Sequence, residues 1–347
     1  MSDRSMQRYA VLTLGSALLF GAATPALKPI AGAMHPVLLA GLLYLGSFIG
    51  LFAARSVRRG QEEARLQRKD LPALVGAIVS GGLLAPVLLV WGLSGLTASA
   101  ASLLLASEAV LTMLVAAFLF REAVAGRVWV AALLILVAAA LLAWTPGTRL
   151  PISLHALAVL AACLLWALDN NLTARIALAD PFAIAMWKGL AAGAVNTVLG
   201  LVLAPSAPGM SWFAALAIGA IGYGASLMLY VLAQRHLGAA RTAAHFGTAP
   251  FFGAALSVAL LGEPLTAVLV AGFAMTAGAT WLTLSEHHGH EHTHEAMEHE
   301  HRHMHDEHHR HAHQGDEGSE PHSHFHSHAP LRHRHAHFPD LHHRHRH

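Results

Sequence analysis

The sequence ACLLWALDNNLTAR, residues 162–175, places three polar side chains at the end of a long apolar run. Residues 156–168 are apolar apart from one cysteine, and they predict the first part of a buried membrane helix. Asp169, Asn170 and Asn171 follow directly. Charged and amide groups are expensive in hydrocarbon, so we expect this triplet to face protein or a water-filled cavity.

The composition excludes most soluble classes. The chain has 347 residues, of which 55% are hydrophobic and 12% charged, and its mean hydropathy is +0.49. These values predict an all-α, polytopic membrane protein. The net charge of +2 is too small to indicate a nucleic-acid partner. Cys163 is the single cysteine, which excludes a disulfide within the chain and a cysteine-based zinc site.

Ten apolar runs are long enough to cross a bilayer, which requires roughly 20 residues in a helix. We number them spans 1 to 10. They are residues 9–30, 36–54, 71–92, 97–119, 127–144, 154–173, 181–203, 212–233, 240–260 and 265–284. The first run follows Arg4 and Arg8, but its length and the spans after it predict a retained helix rather than a signal peptide.

Lysine and arginine predict the orientation. The connection 55–70 carries six of them, and if it is cytoplasmic, alternate connections bring the inside total to 13. Arg149 is then alone on the outside. This asymmetry predicts a multi-pass protein of the inner (plasma) membrane with both termini in the cytoplasm.

An internal repeat divides the chain. Residues 96–142 and 237–283 match at an offset of 141 residues, with small and hydroxyl residues, a long apolar helix, an acidic turn and a further span in both. We therefore predict two five-helix halves, 1–144 and 145–286, followed by a tail, 287–347. Five is an odd number, so the halves must lie in opposite orientations, as in secondary carriers with a central binding site.

These features resemble the drug/metabolite transporter superfamily, in particular its EamA-type permeases, over residues 9–284. Leu165-Trp166-Ala167 at the start of the second half and the turn Gly262-Glu263-Pro264 carry the resemblance, together with the repeat and the spacing. The family commonly has a Glu-Pro pair in the fourth helix of a half. Here Glu108 lies in one copy and Pro250 in the other. The resemblance implies a secondary transporter, often an exporter of amino acids or other small metabolites.

A few polar side chains within the spans are candidates for the solute cavity. Asp169 with Lys188 is the preferred ion pair, and Glu108 with Lys28 is a second one. An apolar neighbourhood favours a neutral carboxyl, so Glu108 is also the candidate for proton coupling. The alternative is structural, because ion pairs and asparagines also hold membrane helices together. The predicted cavity set is Glu108, Asp169, Asn170, Asn171, Lys188, His245 and Thr248.

Two further patterns concern the ninth span and the turns. Arg241, His245, Thr248 and Phe252 recur at helical spacing and predict one polar and aromatic stripe that runs inward from the cytoplasmic end. Glu122 and Glu263 occupy repeat-related turns, where we expect each to cap the helix that follows it rather than to act in transport.

The tail contains all but four of the 28 histidines, and without apolar periodicity we expect it to be disordered. Neutral imidazole is the commonest protein ligand for Zn²⁺, Ni²⁺ and Co²⁺, so the tail is predicted to bind such ions, although the protein requires no cofactor. The predicted ligands include His287, His288, His290, His292, His294, His299, His301, His303 and His305.

Three functions stay open at this point. The leading hypothesis is a permease that exports a small polar solute by alternating access; the others are divalent transition-metal efflux and a membrane-anchored metal buffer or sensor. No nucleophile–base pair, phosphate loop or cofactor motif stands out, so we do not expect an enzyme. The predicted partners are the lipid bilayer, the solute and divalent metal ions, and a homodimer remains open.

Overall fold

A computed structural model describes residues 3–57, 65–120, 126–144, 152–177, 179–205, 209–284, 288–294, 297–303, 322–328 and 331–337. Helices occupy all ten predicted spans. Seven helical segments are long and apolar enough to cross a bilayer, and the apolar helices of spans 5, 9 and 10 are shorter. Large apolar side chains, such as Phe118 and Val202, remain exposed on the outside of the bundle, as expected for lipid-facing positions. The all-α, polytopic fold class is confirmed for the membrane portion.

The uninterrupted spans follow the predicted runs closely. Pro181 begins span 7, where the preceding Asp180 caps the helix by accepting a hydrogen bond from the Phe182 N–H. Ser153 caps span 6 in the same way, through the Ala156 N–H. The uninterrupted helices are span 1, Asp3–Leu27; span 2, Pro36–Val57; span 5, Gly126–Ala143; span 6, Leu154–Ile176; span 7, Pro181–Leu203; and span 10, Ala267–Leu284.

Spans 3 and 8 contain π-helical segments that the sequence did not predict. Span 3 has a 3-10 turn, Arg68–Asp70, and then Leu71–Ala77, the π segment Ile78–Leu84 and Ala85–Ser94. Span 8 has Met210–Ile218, the π segment Gly219–Ala225 and Ser226–Phe246. The two π segments are separated by the 141 residues of the sequence repeat.

Spans 4 and 9 are also interrupted. Span 4 consists of Ala98–Leu104 and Ser107–Phe120. The helix of span 8 continues to Phe246, and Ala249–Leu261 follows as a separate helix. The prediction of one ninth helix over 240–260 is therefore wrong at its start. The alanine-rich stretch 239–244 favours continuation of the preceding helix, whereas Pro250 favours the first turn of a new one.

The packing of the spans follows the predicted repeat. Span 1 packs against spans 8 and 9, and span 6 packs against spans 3 and 4. Span 2 lies against span 7, and span 5 against span 10. Glycines permit the closest crossing: a Cβ built on Gly193 of span 7 would lie 2.5 Å from the Leu45 nitrogen of span 2. Close backbone approach through small residues is how membrane helices gain packing energy.

Four segments of the tail pair as strands. They are β1, His288–His294; β2, Met297–His303; β3, His322–His328; and β4, Leu331–His337. β1 pairs with β4 and β2 with β3, both antiparallel. Histidine recurs at every second position over most of these segments, which is the period of a strand.

Candidate functional site

Asp169 and Lys188 form a buried ion pair at the centre of the bundle. The Lys188 ammonium donates to Asp169 Oδ1 at 2.6 Å and to Oδ2 at 2.7 Å, and its distance to Thr173 Oγ1 is 3.5 Å. Thr173, one turn beyond Asp169, donates to the same Oδ1 at 2.9 Å. The side chains of Lys188 and Asp169 are 2% and 5% exposed. The predicted pairing of these two residues is confirmed.

The π segment of span 3 lies directly against this pair. A Cβ added to Gly81 would stand 1.9 Å from Asp169 Oδ2, so any side chain at this position would displace the carboxylate. The Gly81 carbonyl accepts hydrogen bonds from the Tyr44 hydroxyl at 2.6 Å and from Trp166 Nε1 at 3.0 Å. A π segment leaves carbonyls outside the regular α-helical ladder, and these two side chains satisfy one of them.

Sequence reasoning missed Tyr44 and Gly81 as parts of the site. The available signal was the Ser80-Gly81-Gly82 triplet in the middle of an otherwise apolar span. Glycine is unfavourable inside a helix unless a close approach requires it, so an adjacent pair of glycines at mid-span indicates a crowded position.

Glu108 lies on span 4 and contacts span 6 at Asn170, the residue next to Asp169. Asn170 Nδ2 donates to Glu108 Oε1 at 2.9 Å, and the same nitrogen lies 3.4 Å from Thr112 Oγ1. Thr112 uses its hydroxyl to donate to the Glu108 carbonyl at 2.8 Å. Glu108 is 8% exposed. Asn170 thus joins spans 4 and 6 at the predicted carboxylate.

The predicted pair of Glu108 with Lys28 is wrong. The Lys28 ammonium donates instead to the carbonyls of Leu93, at 2.8 Å, and Leu96, at the end of span 3. Lys28 follows the last turn of span 1, and the last carbonyls of a neighbouring helix are a favourable partner for its charge. This position keeps Lys28 at one end of the bundle, where it binds span 3 rather than Glu108 of span 4.

Asn171 has a bonding pattern typical of a helix-packing residue. Its amide nitrogen donates to the carbonyls of Thr112 at 3.0 Å and Ala167 at 2.8 Å, which uses both of its N–H groups. Asn196 binds the Leu83 carbonyl in a similar way, at 3.0 Å. Asn170, rather than Asn171, reaches the cavities.

Two adjoining cavities lie between the two halves. They share a set of polar and aromatic lining residues. The shared residues are Phe20, Glu108, Asn170, Tyr230 and Phe246. The larger cavity also meets the ion pair, through Asp169 and Lys188. Four of the seven predicted cavity residues therefore line these two adjoining cavities.

Six aromatic rings surround these cavities. Phe20 is central: its ring centroid lies 5.7 Å from Trp166, 5.7 Å from Tyr223 and 5.4 Å from Phe246. Tyr230 continues the cluster beyond Phe246, at 5.0 Å, and Tyr44 continues it beyond Tyr223, at 5.6 Å.

His245 and Thr248 lie at the break between spans 8 and 9. The Thr248 hydroxyl donates to the His245 carbonyl at 2.8 Å, across the end of one helix and the start of the next. In the described lining of the two cavities, this segment contributes Phe246 and Gly247 instead. The predicted stripe is interrupted by the break, and the side chain of Arg241 lies outside the described part of the chain.

Glu263 caps a helix of the other half. Its carboxylate accepts hydrogen bonds from the backbone N–H groups of Ala98, at 2.6 Å, and Ser99, at 2.8 Å. Capping was predicted, but of the helix that follows Glu263. The turn begins with Gly262 in the left-handed conformation, φ 65°, and the carboxylate reaches the start of span 4. Glu122 lies outside the described residues.

The predicted metal ligands lie on the tail strands. His288, His290, His292 and His294 belong to β1. His299, His301 and His303 belong to β2. The register places histidine opposite histidine, for example His290 opposite His335 and His301 opposite His324. His287 and His305 lie outside the described residues.

Comparison with known proteins identifies the membrane portion. Residues 7–144 and 153–285 each match the EamA-like transporter family. An uncharacterized transporter of Methanothermobacter thermautotrophicus is 28% identical over 289 residues, which cover 75% of this chain and 82% of that protein. A crystal structure of a protein with 21% identity aligns at a TM-score of 0.61 over 80% of this chain and 96% of that one, and it supports the fold. The chain belongs to the EamA-like transporter family of the drug/metabolite transporter superfamily, and it is a multi-pass membrane transporter.

Proposed function

We propose that the protein exports a small polar solute, a metabolite or an amino acid, by alternating access through the central cavities. The observation that carries this proposal is the cavity between the halves that Glu108, Asp169 and Lys188 line together. Ionisable groups inside membrane spans are expensive and usually mark a solute or ion pathway. A site at the interface of inverted repeats can be reached from either side in turn.

The polar groups have different roles in this proposal. Asp169 of span 6 and Lys188 of span 7 provide polar lining for the larger cavity. Their charges neutralise each other, so the pair can remain buried inside the bundle. Glu108 binds solute or a proton. Among the described residues, its carboxylate is hydrogen-bonded by the neutral amide of Asn170 rather than by a cation. Transport coupled to a pH gradient would then require a carboxyl at position 108.

Transport by purified protein in liposomes tests the proposal. The panel contains amino acids and related small metabolites, each measured with and without a pH gradient. We expect uptake of at least one solute by the wild type, and loss of its coupled transport in E108Q. D70N is the matched control, because Asp70 caps the start of span 3, outside the cavities, and an amide oxygen can still accept the hydrogen bond of the Gln67 N–H. No transport across the whole panel would contradict the proposal.

A second candidate function is efflux of Ni²⁺, Co²⁺ or Zn²⁺, with the tail as the metal-binding element. The specific observation is the strand register, which sets histidine opposite histidine along β1–β4 and β2–β3. Imidazoles from paired strands supply the ligand type that these ions prefer. The same register supports a related alternative, a membrane-anchored metal buffer or sensor.

Metal tolerance of cells distinguishes these alternatives. Efflux predicts lower tolerance after complete gene deletion and after deletion of residues 287–347. A buffer or sensor predicts that the tail keeps its effect when it is fused to an unrelated membrane anchor. Unchanged tolerance in both deletions would contradict both metal functions, and it would leave the solute proposal standing.

A further inference from the structure

We propose that the solute is an organic cation, a protonated amine that places its ammonium at Glu108 and its apolar part among the surrounding rings. This inference rests on the proposed transport function and narrows its substrate class. Three observations support it: the charge balance of the cavities, the aromatic lining and a buried tyrosine hydroxyl group without a partner among the described residues.

The Asp169–Lys188 pair has no free charge for a solute. An ammonium has three N–H donors, and those of Lys188 are directed at Oδ1 and Oδ2 of Asp169 and at Thr173. A solute carboxylate would have to displace Asp169 to reach Lys188. Breaking a buried pair leaves an uncompensated charge, which is strongly unfavourable. The pair therefore does not favour an anionic solute.

Glu108 is the unbalanced charge of the cavity lining. Of the described residues that line either cavity, Glu108, Asp169 and Lys188 are charged, and the last two neutralise each other. The hydrogen bond that Glu108 receives comes from the neutral amide of Asn170. An ionised carboxylate away from water favours a cation beside it. A cationic solute meets this requirement, whereas an anion is repelled.

The aromatic rings suit the same class of solute. Tyr230, Phe246 and Phe20 line both cavities together with Glu108, and the centroids of successive rings in this row are 5.0 and 5.4 Å apart. Ring faces attract cations within about 6 Å of their centroid, and the attraction is stronger where water is excluded. The rings also provide an apolar surface for a hydrocarbon or aromatic part of the solute.

One buried hydroxyl group provides a further polar contact. Tyr223 is 6% exposed and lines the larger cavity. Its hydroxyl has no hydrogen-bond partner among the described residues. Buried polar groups are nearly always satisfied by protein, water or ligand, so this hydroxyl is available to a polar solute.

Four ligands that share a phenyl ring and differ in charge test the inference. They are phenethylamine, a cation; phenylalanine, a zwitterion; 3-phenylpropionate, an anion; and 2-phenylethanol, which is neutral. Binding to the purified full chain in lipid nanodiscs is measured by calorimetry, and transport of the same compounds is measured in liposomes. We expect phenethylamine to bind most tightly and 3-phenylpropionate most weakly.

Matched variants assign the effect to residues. We expect E108Q to weaken phenethylamine binding by at least about tenfold, because it removes one partner of a desolvated charge pair. E108D, which retains the charge, should recover part of the affinity. F246L should weaken binding by about two- to thirtyfold through loss of a cation–π contact. F213L is its control, since Phe213 is 66% exposed on the outside of the bundle.

The outcomes separate this inference from the proposed function. Tighter binding of the zwitterion or the anion than of the amine, or equal phenethylamine affinity in E108Q and wild type, overturns the cation class. Transport of any polar solute in that case still supports the proposed function. If E108Q does not fold, the order of the four ligands on the wild type decides the inference.

Discussion

Lys188 is the largest side chain that is almost completely buried in the described core. Inserting an unpaired lysine at mid-membrane costs roughly 2.5–3.5 kcal/mol on translocon scales. Asp169 offsets this cost because it presents both carboxylate oxygens to the ammonium. The stability of the protein should therefore depend on the pair as a unit, more than on either charge alone.

Substitution of one partner of this pair should be more harmful than substitution of both. We expect D169N or K188M alone to destabilise the protein by about 3–5 kcal/mol, because each leaves one buried charge without its partner. The double variant D169N/K188M should recover a large part of that loss. Thermal unfolding in detergent measures all three. A double variant less stable than both single variants would show that the residues act independently.

Gly81 should not tolerate even a methyl group. G81A would place its Cβ 1.9 Å from Asp169 Oδ2 and 2.4 Å from Cγ, so the π segment or the ion pair must move. Overpacking of this kind typically costs about 1–3 kcal/mol. Gly278 is a suitable control in span 10, because the nearest atom to its added Cβ is 3.9 Å away. Equal melting temperatures of G81A and G278A would contradict the close approach.

At the scale of elements, the sequence predicted the ten spans but not their interruptions. Spans were predictable because about 20 apolar residues between polar connections have few alternatives to a membrane helix. The π segments were not predictable, since Ile78–Leu84 and Gly219–Ala225 fit an α-helix equally well by composition. What favours the π form is tertiary, namely Tyr44 and Trp166 on the Gly81 carbonyl.

Glu263 should stabilise the start of span 4 from the opposite half. We expect E263A to lower stability by at least about 1.5–3 kcal/mol, because two hydrogen bonds to a charged group are lost and a single one is worth that much. E263Q, which keeps one acceptor oxygen, should lose less. Thermal unfolding is the measurement. If E263A matched the wild type, the capping contact would have no energetic role.

At the scale of the whole molecule, the orientation in the membrane, with both termini in the cytoplasm, remains a prediction. Cysteine labelling can test it. Cys163 is the single cysteine and is fully buried, so the wild type is a nearly unreactive background. We expect a membrane-impermeant maleimide, added to intact cells, to label T148C but not Q61C. Permeabilised cells, in which both should react, provide the control. Labelling of Q61C alone in intact cells would invert the predicted topology.

The candidate site was partly predictable because burial makes polar residues conspicuous. Charged and amide side chains stood out within the apolar spans, namely Asp169, Lys188, Glu108 and Asn170. Because an unpaired charge is costly there, Lys188 was predicted as the partner of Asp169. The same reasoning failed for Lys28, since sequence does not show that helix-end carbonyls lie within its reach. Aromatic lining residues such as Phe20 and Tyr223 resemble ordinary core residues until the fold brings them together.

The ring cluster around Phe20 has a mechanical consequence. Spans 2, 3, 6 and 7 are joined near their middle by hydrogen bonds to Gly81 and between Lys188 and Asp169, whereas Phe20 of span 1 meets them there through ring contacts. At one end, by contrast, Lys28 and Glu263 attach spans 1 and 9 to spans 3 and 4. A rotation with Phe20 as its pivot would break those two end attachments and leave the central polar bonds intact.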